Sequence, residues 1–181
     1  MKRTANKTWT ADELLALGRS YQAAAVYAAA ADLDLFDALA GGALGTRELA
    51  RKLRCDLRGL VILLDALTAL RLLNKQGGRY TLPSGAAKFL TLHGPQSILA
   101  MAQHQANCLR NWVQLARIVK TGQPAEKTPS VRGSDGDAAA FIGAMHNISV
   151  PVASQIIRAV RPMRFNHLLD VGGASGTWTM A

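Results

Sequence analysis

Acidic and aromatic side chains are both scarce in this sequence. Its 181 residues carry 12 Asp and Glu against 21 Lys and Arg, and aromatics make up 6%. Few aromatics beside abundant alanine disfavour a sheet-rich fold and favour helices. The acid deficit leaves a formal charge of +9, which invites a nucleic-acid reading. Lys2, Arg3 and Lys7 sit in a short leader expected to stay mobile, and the other basic residues are scattered with no run of five or six. Cysteine is scarce too. Cys55 and Cys108 lie far apart and neither belongs to a CxxC pair, so no disulfide framework or cysteine metal site is indicated. A reducing cytoplasm is the default compartment. The leader has no apolar core behind its basic residues, unlike a signal peptide. The richest apolar stretch, 57–73, is interrupted by Arg58, Asp65 and Arg71 and is too short to span a bilayer. A soluble cytoplasmic protein with no membrane partner is expected.

What is present is a large apolar fraction, 49% hydrophobic against 18% charged, enough for a real core. Thr10 and Glu13 form a capping-box pattern, so a first helix is expected over 11–31. Leu33, Leu35, Phe36 and Leu39 continue as a short helical piece ending at Gly41 and Gly42. Thr46 is expected to cap a short helix, 47–54, and Asp56 a longer one, 57–73, with Leu57, Leu60, Leu64 and Leu67 on one face. A hairpin signal follows, with Gln76, Gly77 and Gly78 between two short strand patterns and Pro83 closing the second. The order of short helix, longer helix and two-stranded ribbon is that of a winged helix-turn-helix. Further helices are expected over 84–90, 96–120 and 137–160, the last kinked at Pro151, with a loop over 121–135.

The texture then changes. Asn166, His167, Leu168, Leu169, Asp170 and Val171 read as a buried strand, and Gly172, Gly173, Ala174, Ser175 and Gly176 follow at once. Strand, glycine-rich turn and helix start are the first unit of a Rossmann-like nucleotide site. A dinucleotide GxGxxG begun at Gly172 fails at Ala174 and Thr177, and a phosphate-binding loop fails for want of lysine. Asp170, Gly172, Ala174 and Gly176 fit instead an acid-x-G-x-G-x-G arrangement with one glycine replaced.

The stretch 168–177 resembles the first motif of class I S-adenosylmethionine-dependent methyltransferases. It is most similar to the small-molecule O-methyltransferases of the caffeic acid and carminomycin type. The resemblance implies that Asp170, Gly172, Gly173, Ala174 and Gly176 hold the amino-acid end of S-adenosylmethionine. Ala174 departs from the usual glycine and adds a methyl group where the backbone should approach the ligand. Upstream, residues 33–39, 46–50, 63–67 and 79–82 resemble successive parts of that family's dimerisation domain. Trp112, Leu115, Thr121 and Gly122 resemble its linker. Phe141, Ala144 and Met145 resemble a segment lining the acceptor and cofactor pocket, which implies substrate-binding roles for Phe141 and Met145. Their i and i+4 spacing is also how any helix packs its core.

Single histidines such as His104, His146 and His167 are read as structural, and none inherits the family's catalytic base, which is expected beyond residue 181. A winged helix can bind DNA, so a DNA-binding transcription regulator is the rival function. Its reading helix would be 57–73, where 12 of 17 residues are apolar and base-reading side chains are few. Apolar groups in such excess suggest burial on two sides, as in a subunit interface. The expected fold is therefore mainly α: a winged-helix dimerisation domain over 10–95, a helical connection over 96–164, and the first strand and turn of a truncated Rossmann-like α/β methyltransferase domain over 165–181. The expected function is part of an O-methyltransferase that moves a methyl group from S-adenosylmethionine to a hydroxyl of a small aromatic or polycyclic acceptor. The chain itself is expected to form a homodimer, to bind no specific nucleic acid and to be inactive alone.

Overall fold

The computed structural model describes residues 7–160 and 165–181; Lys2 and Arg3 of the basic leader lie outside them. Lys7 pairs with Glu13 at 3.3 Å and sits over the Trp9 ring. Helix α1 (Ala11–Arg19) opens on the capping box: the Glu13 amide donates to Thr10 Oγ1 at 3.2 Å, and the Thr10 amide to Glu13 Oε2 at 3.0 Å. The expected continuous helix over 11–31 is divided at Ser20, beyond which α2 runs Tyr21–Asp32. Both the Ser20 amide and its hydroxyl turn back to the Leu17 carbonyl, at 3.2 and 2.8 Å. That tight three-residue turn displaces the regular helical bond.

Asp34, in the left-handed region at φ 53°, turns the chain into α3 (Leu35–Ala38), whose Leu35 and Phe36 are fully buried. Helix α4 (Thr46–Leu53) begins one residue earlier than expected. Gly45 is its cap rather than Thr46, and Glu48 reaches back to accept from the Gly45 amide at 2.7 Å. Asp56 caps α5 (Leu57–Ala69) as expected, accepting from the Gly59 amide at 2.7 Å. That helix stops before residue 73 because Arg71 turns left-handed, at φ 59°, and the Leu72 and Leu73 amides fold back onto the Leu67 carbonyl.

The hairpin pairs β2 (Asn74–Gln76) with β3 (Arg79–Thr81) through Gly77 and Gly78. Both glycines have positive φ, 55° and 74°, as a two-residue hairpin turn with the right-handed twist requires. A two-residue strand, β1 (Leu44–Gly45), adds to the other edge, giving the order β1-β3-β2. The core gathers Leu49, Leu60, Leu64, Leu67, Leu73 and Tyr80 with the buried faces of α2, α3, α6 (Ser84–Leu90) and α7 (Leu99–Trp112).

The helix expected over 96–120 is two, α7 and α8 (Leu115–Thr121). Gln114, at the break, exchanges two hydrogen bonds with the Glu126 backbone, at 3.0 and 2.9 Å, and so captures the following loop. Helix α9 (Gly133–Ala159) continues through Pro151 and packs along α7. A Cβ on Gly143 would fall 2.6 Å from that of Ala100, so the two helices meet through small residues. By length and composition α9 could cross a membrane, yet it lies against α7 and its Asn147 donates to the Ser97 carbonyl at 2.9 Å.

The expected buried strand over 166–171 is not formed. Those residues pair with no strand among the described residues, Asn166 lying in a bend and Val171 in a turn, and Leu168, Leu169 and Val171 are 57%, 84% and 86% exposed. An apolar strand needs a neighbouring strand to satisfy its backbone, and the described sheet lies in the first half of the chain. Only α10 (Thr177–Met180) follows the glycine turn.

Candidate functional site

The glycine turn is built from left-handed backbone. Gly172 has φ 77°, Ala174 45° and Gly176 67°, and the Gly176 amide closes the turn by donating to the Gly173 carbonyl at 2.7 Å. The glycines serve for different reasons. Added to Gly172, a Cβ would meet nothing, so there a side chain would oppose only the dihedral. Added to Gly173, it would fall 2.5 Å from the Asp170 carboxylate, which folds over that backbone and accepts from the Thr179 hydroxyl. Asp170, Gly172 and Ala174 are exposed and Gly173 and Gly176 half-buried. The turn thus leaves Gly172 and Ala174 open to solvent, while the Asp170 carboxylate covers Gly173.

Helix α10, directly beyond the turn, packs against α9, and a polar contact joins the two. Thr177, only 6% exposed, has its Oγ1 2.7 Å from His146 Nδ1 on α9 and 2.6 Å from Ser175 Oγ in the turn. Sequence reasoning took His146 as a lone structural histidine. Nothing local could reveal its partner, which lies 31 residues away.

His146 also borders a cavity of about 980 Å³, with Asp34, Gln103, Arg132 and Asn147 among its polar lining. Asp34 accepts from Gln103 Nε2 at 2.8 Å and pairs with Arg132 at 3.6 Å. Burial pushes the Asp34 carboxyl above its ordinary range, partly opposed by Arg132. Asn147 Oδ1 and one Arg132 terminal nitrogen are buried without a partner. The expected pocket residues lie apart from this cavity. Phe141 borders a smaller one, about 370 Å³, where its ring meets that of His104 at 5.2 Å; Met145 is half-buried one turn further on. The structure brings the turn residues together and seats them on α9, but it does not join Phe141 and Met145 to them by a direct polar contact.

Beneath the small cavity, Arg110 pairs with Asp32 at 2.5 Å and Asp137 at 3.4 Å, linking α2, α7 and α9. Burial raises the Asp32 carboxyl against the pull of Arg110. Burial also acts on Asp137, but hydrogen bonds from Ser130 and the charge of Arg110 outweigh it and hold that carboxyl below its usual range.

Residues 15–91 match the family described as the O-methyltransferase dimerisation domain. The chain is 29% identical over 172 residues to the tetracenomycin polyketide synthesis 8-O-methyl transferase of Streptomyces glaucescens, covering 91% of this chain and 50% of that one. It is 29% identical over 153 residues to the 3-hydroxy-5-methyl-1-naphthoate 3-O-methyltransferase of Streptomyces sahachiroi, covering 82% and 44%. Among solved structures, human N-acetylserotonin methyltransferase in complex with SAM superposes with a TM-score of 0.68 at 25% identity, covering 98% of this chain and 56% of that one. The chain spans about half the length of the curated relatives it matches.

Proposed function

We propose, from the premise that residues 15–91 are an O-methyltransferase dimerisation domain, that the chain supplies the subunit interface and the cofactor turn of an S-adenosylmethionine-dependent O-methyltransferase. The observation that carries this reading is the turn itself: three residues of positive φ within 172–176, open on one side and fastened to α9 on the other. Asp170, Gly172, Gly173, Ala174 and Gly176 fit the amino-acid end of the cofactor, which is met by backbone N–H groups. When bound, the cofactor supplies the methyl group. In this reading the chain alone binds it weakly and does not complete the reaction.

The acceptor in this reading is a small hydroxylated aromatic or polycyclic molecule, and Phe141 and Met145 face it. Residues 10–95 act as a winged-helix dimerisation domain, 96–164 as a helical connection and 165–181 as the start of the cofactor domain. The outer face of α5 supports pairing of subunits over DNA reading. Leu57 and Ile62 on α5 and Leu70 at its C-cap are exposed, while Asp65 is taken by Lys75 and Tyr80. The relatives found are methyltransferases, and the DNA-binding alternative draws no support from them.

The test is titration with S-adenosylhomocysteine followed by NMR, which reads even millimolar affinity. Amide shifts should concentrate in 170–177 and vanish in Gly172→Val, because a β-branched residue resists a φ of 77°. Equal shifts in that variant would show that the turn is not the cofactor site.

A further inference from the structure

We infer that His146 is a positioning residue for the cofactor turn, acting through the buried hydroxyl of Thr177. The inference rests on the cofactor reading above and deepens it. Three polar atoms form a continuous path: His146 Nδ1, Thr177 Oγ1 at 2.7 Å and Ser175 Oγ at 2.6 Å from Thr177. A hydroxyl has one proton and two lone pairs, so the path is satisfied in either polarity. Nδ1–H donates to Thr177, which donates to Ser175, or Ser175 donates to Thr177, which donates to a bare Nδ1.

Why the path bears on the turn follows from what else holds it. Residues 165–171 pair with no strand among the described residues and are exposed. Thr177, buried and directly beyond Gly176, is the turn's anchoring side chain. Its contact with α9 fixes the far end of a turn in which the left-handed Ala174 carries strain. The same imidazole borders the 980 Å³ cavity, so one side chain joins the face of α9 that borders the cavity to the turn.

Backbone order parameters for 173–179 test the contact, measured by NMR on the full chain and four variants. His146→Ala and Thr177→Val each remove one side of it, whereas His146→Asn and Thr177→Ser keep a polar atom in place. Order parameters should fall from about 0.85 to below about 0.6 in the first two and recover in the second two, with those of α5 unchanged. Equal order in the wild type and His146→Ala would overturn the inference. S-adenosylhomocysteine titration of the same samples separates positioning from mere folding. Half-saturation of the shifts at 172–176 should need about tenfold more ligand in His146→Ala, as for loss of one hydrogen bond to a site, and return in His146→Asn. A midpoint unchanged across the variants would overturn the positioning role. Shifts absent from the wild type itself would sink the cofactor reading, and the positioning role with it, whatever the order parameters show.

Discussion

Ala174 holds φ 45° in a turn where its neighbours at 172 and 176 are glycines. A side chain in the left-handed region costs roughly 1–2 kcal/mol, and the freedom a glycine loses on ordering offsets roughly half of that. Ala174→Gly should therefore tighten S-adenosylhomocysteine binding about twofold, read by the same titration. A weaker midpoint would mean that the methyl group makes a useful contact. A second residue-scale effect lies in the hairpin. Asp65 accepts from Lys75 at 2.7 Å and Tyr80 at 2.8 Å, and these bonds hold its carboxyl below the ordinary value of 3.8. The same carboxylate pushes Lys75 up from 10.5 to about 12. A lowered carboxyl stabilises the fold above its unfolded value and loses that contribution as pH falls through the folded one. A raised ammonium stabilises the fold below 10.5 and loses that contribution as pH climbs towards 12. The melting difference between wild type and Lys75→Gln should be small, as for any exposed pair, constant through neutral pH, and shrink at both extremes. A difference that grew at alkaline pH would contradict the assignment.

Among the elements, three helices of the bundle are tied together by charge at Arg110. Arg110 reaches Asp32 on α2 and Asp137 on α9 from its own place on α7. Removing it leaves two partly buried carboxylates facing each other without a cation, so Arg110→Ala should cost about 2–3 kcal/mol in urea unfolding. A loss under about 0.5 kcal/mol would show that solvent screens the cluster as it does a surface pair. That tie was invisible in the sequence, where the three residues are spread over more than a hundred positions. Local devices were legible: the Thr10–Glu13 box, the Asp56 cap and the Gly77–Gly78 turn each act within four residues. The divisions at Ser20 and Gln114 were not, because each follows from one side chain choosing a carbonyl over the regular ladder. Strand β1 was hidden for another reason. Two residues carry no alternation, and they become a strand only by lying against Tyr80 and Arg79. At 166–171 the apolar pattern was read as a strand, but pattern supplies only a face; a strand also needs a neighbour to pair with. For the site, spacing disclosed the turn residues, while the His146–Thr177 contact depends on how α9 is laid down.

At the scale of the whole molecule, the surface around α1 is the feature that a single chain leaves unexplained. The helix is nine residues long and buries no side chain. Isolated helices of fewer than about 12–15 residues are marginal in water even with good caps. Leu14 and Leu17 nevertheless stand exposed at i and i+3, with Trp9 and Leu15 beside them and Tyr21 exposed at the start of α2. Helix α5 and its C-cap add Leu57, Ile62 and Leu70. Together these can furnish the apolar centre of an interface near the standard size of about 800 Å² per partner. Pairing through them would make α1 helical because it is docked. Light scattering at micromolar concentration should accordingly give twice the chain mass, and 0.5 M salt (roughly) should leave it unchanged, since the contact is apolar and salt screens charges. The double variant Leu14→Asp, Leu17→Asp should run as a monomer and lose the helical signal of α1 by circular dichroism. Val119→Asp, on the exposed face of α8, should stay dimeric and helical. The excess of positive charge predicts a contrast in the same samples: any duplex DNA retained at low salt should release steeply as salt rises, while the dimer persists. A wild-type chain that runs as a clean monomer would leave α1 without a partner and remove the case for the paired state.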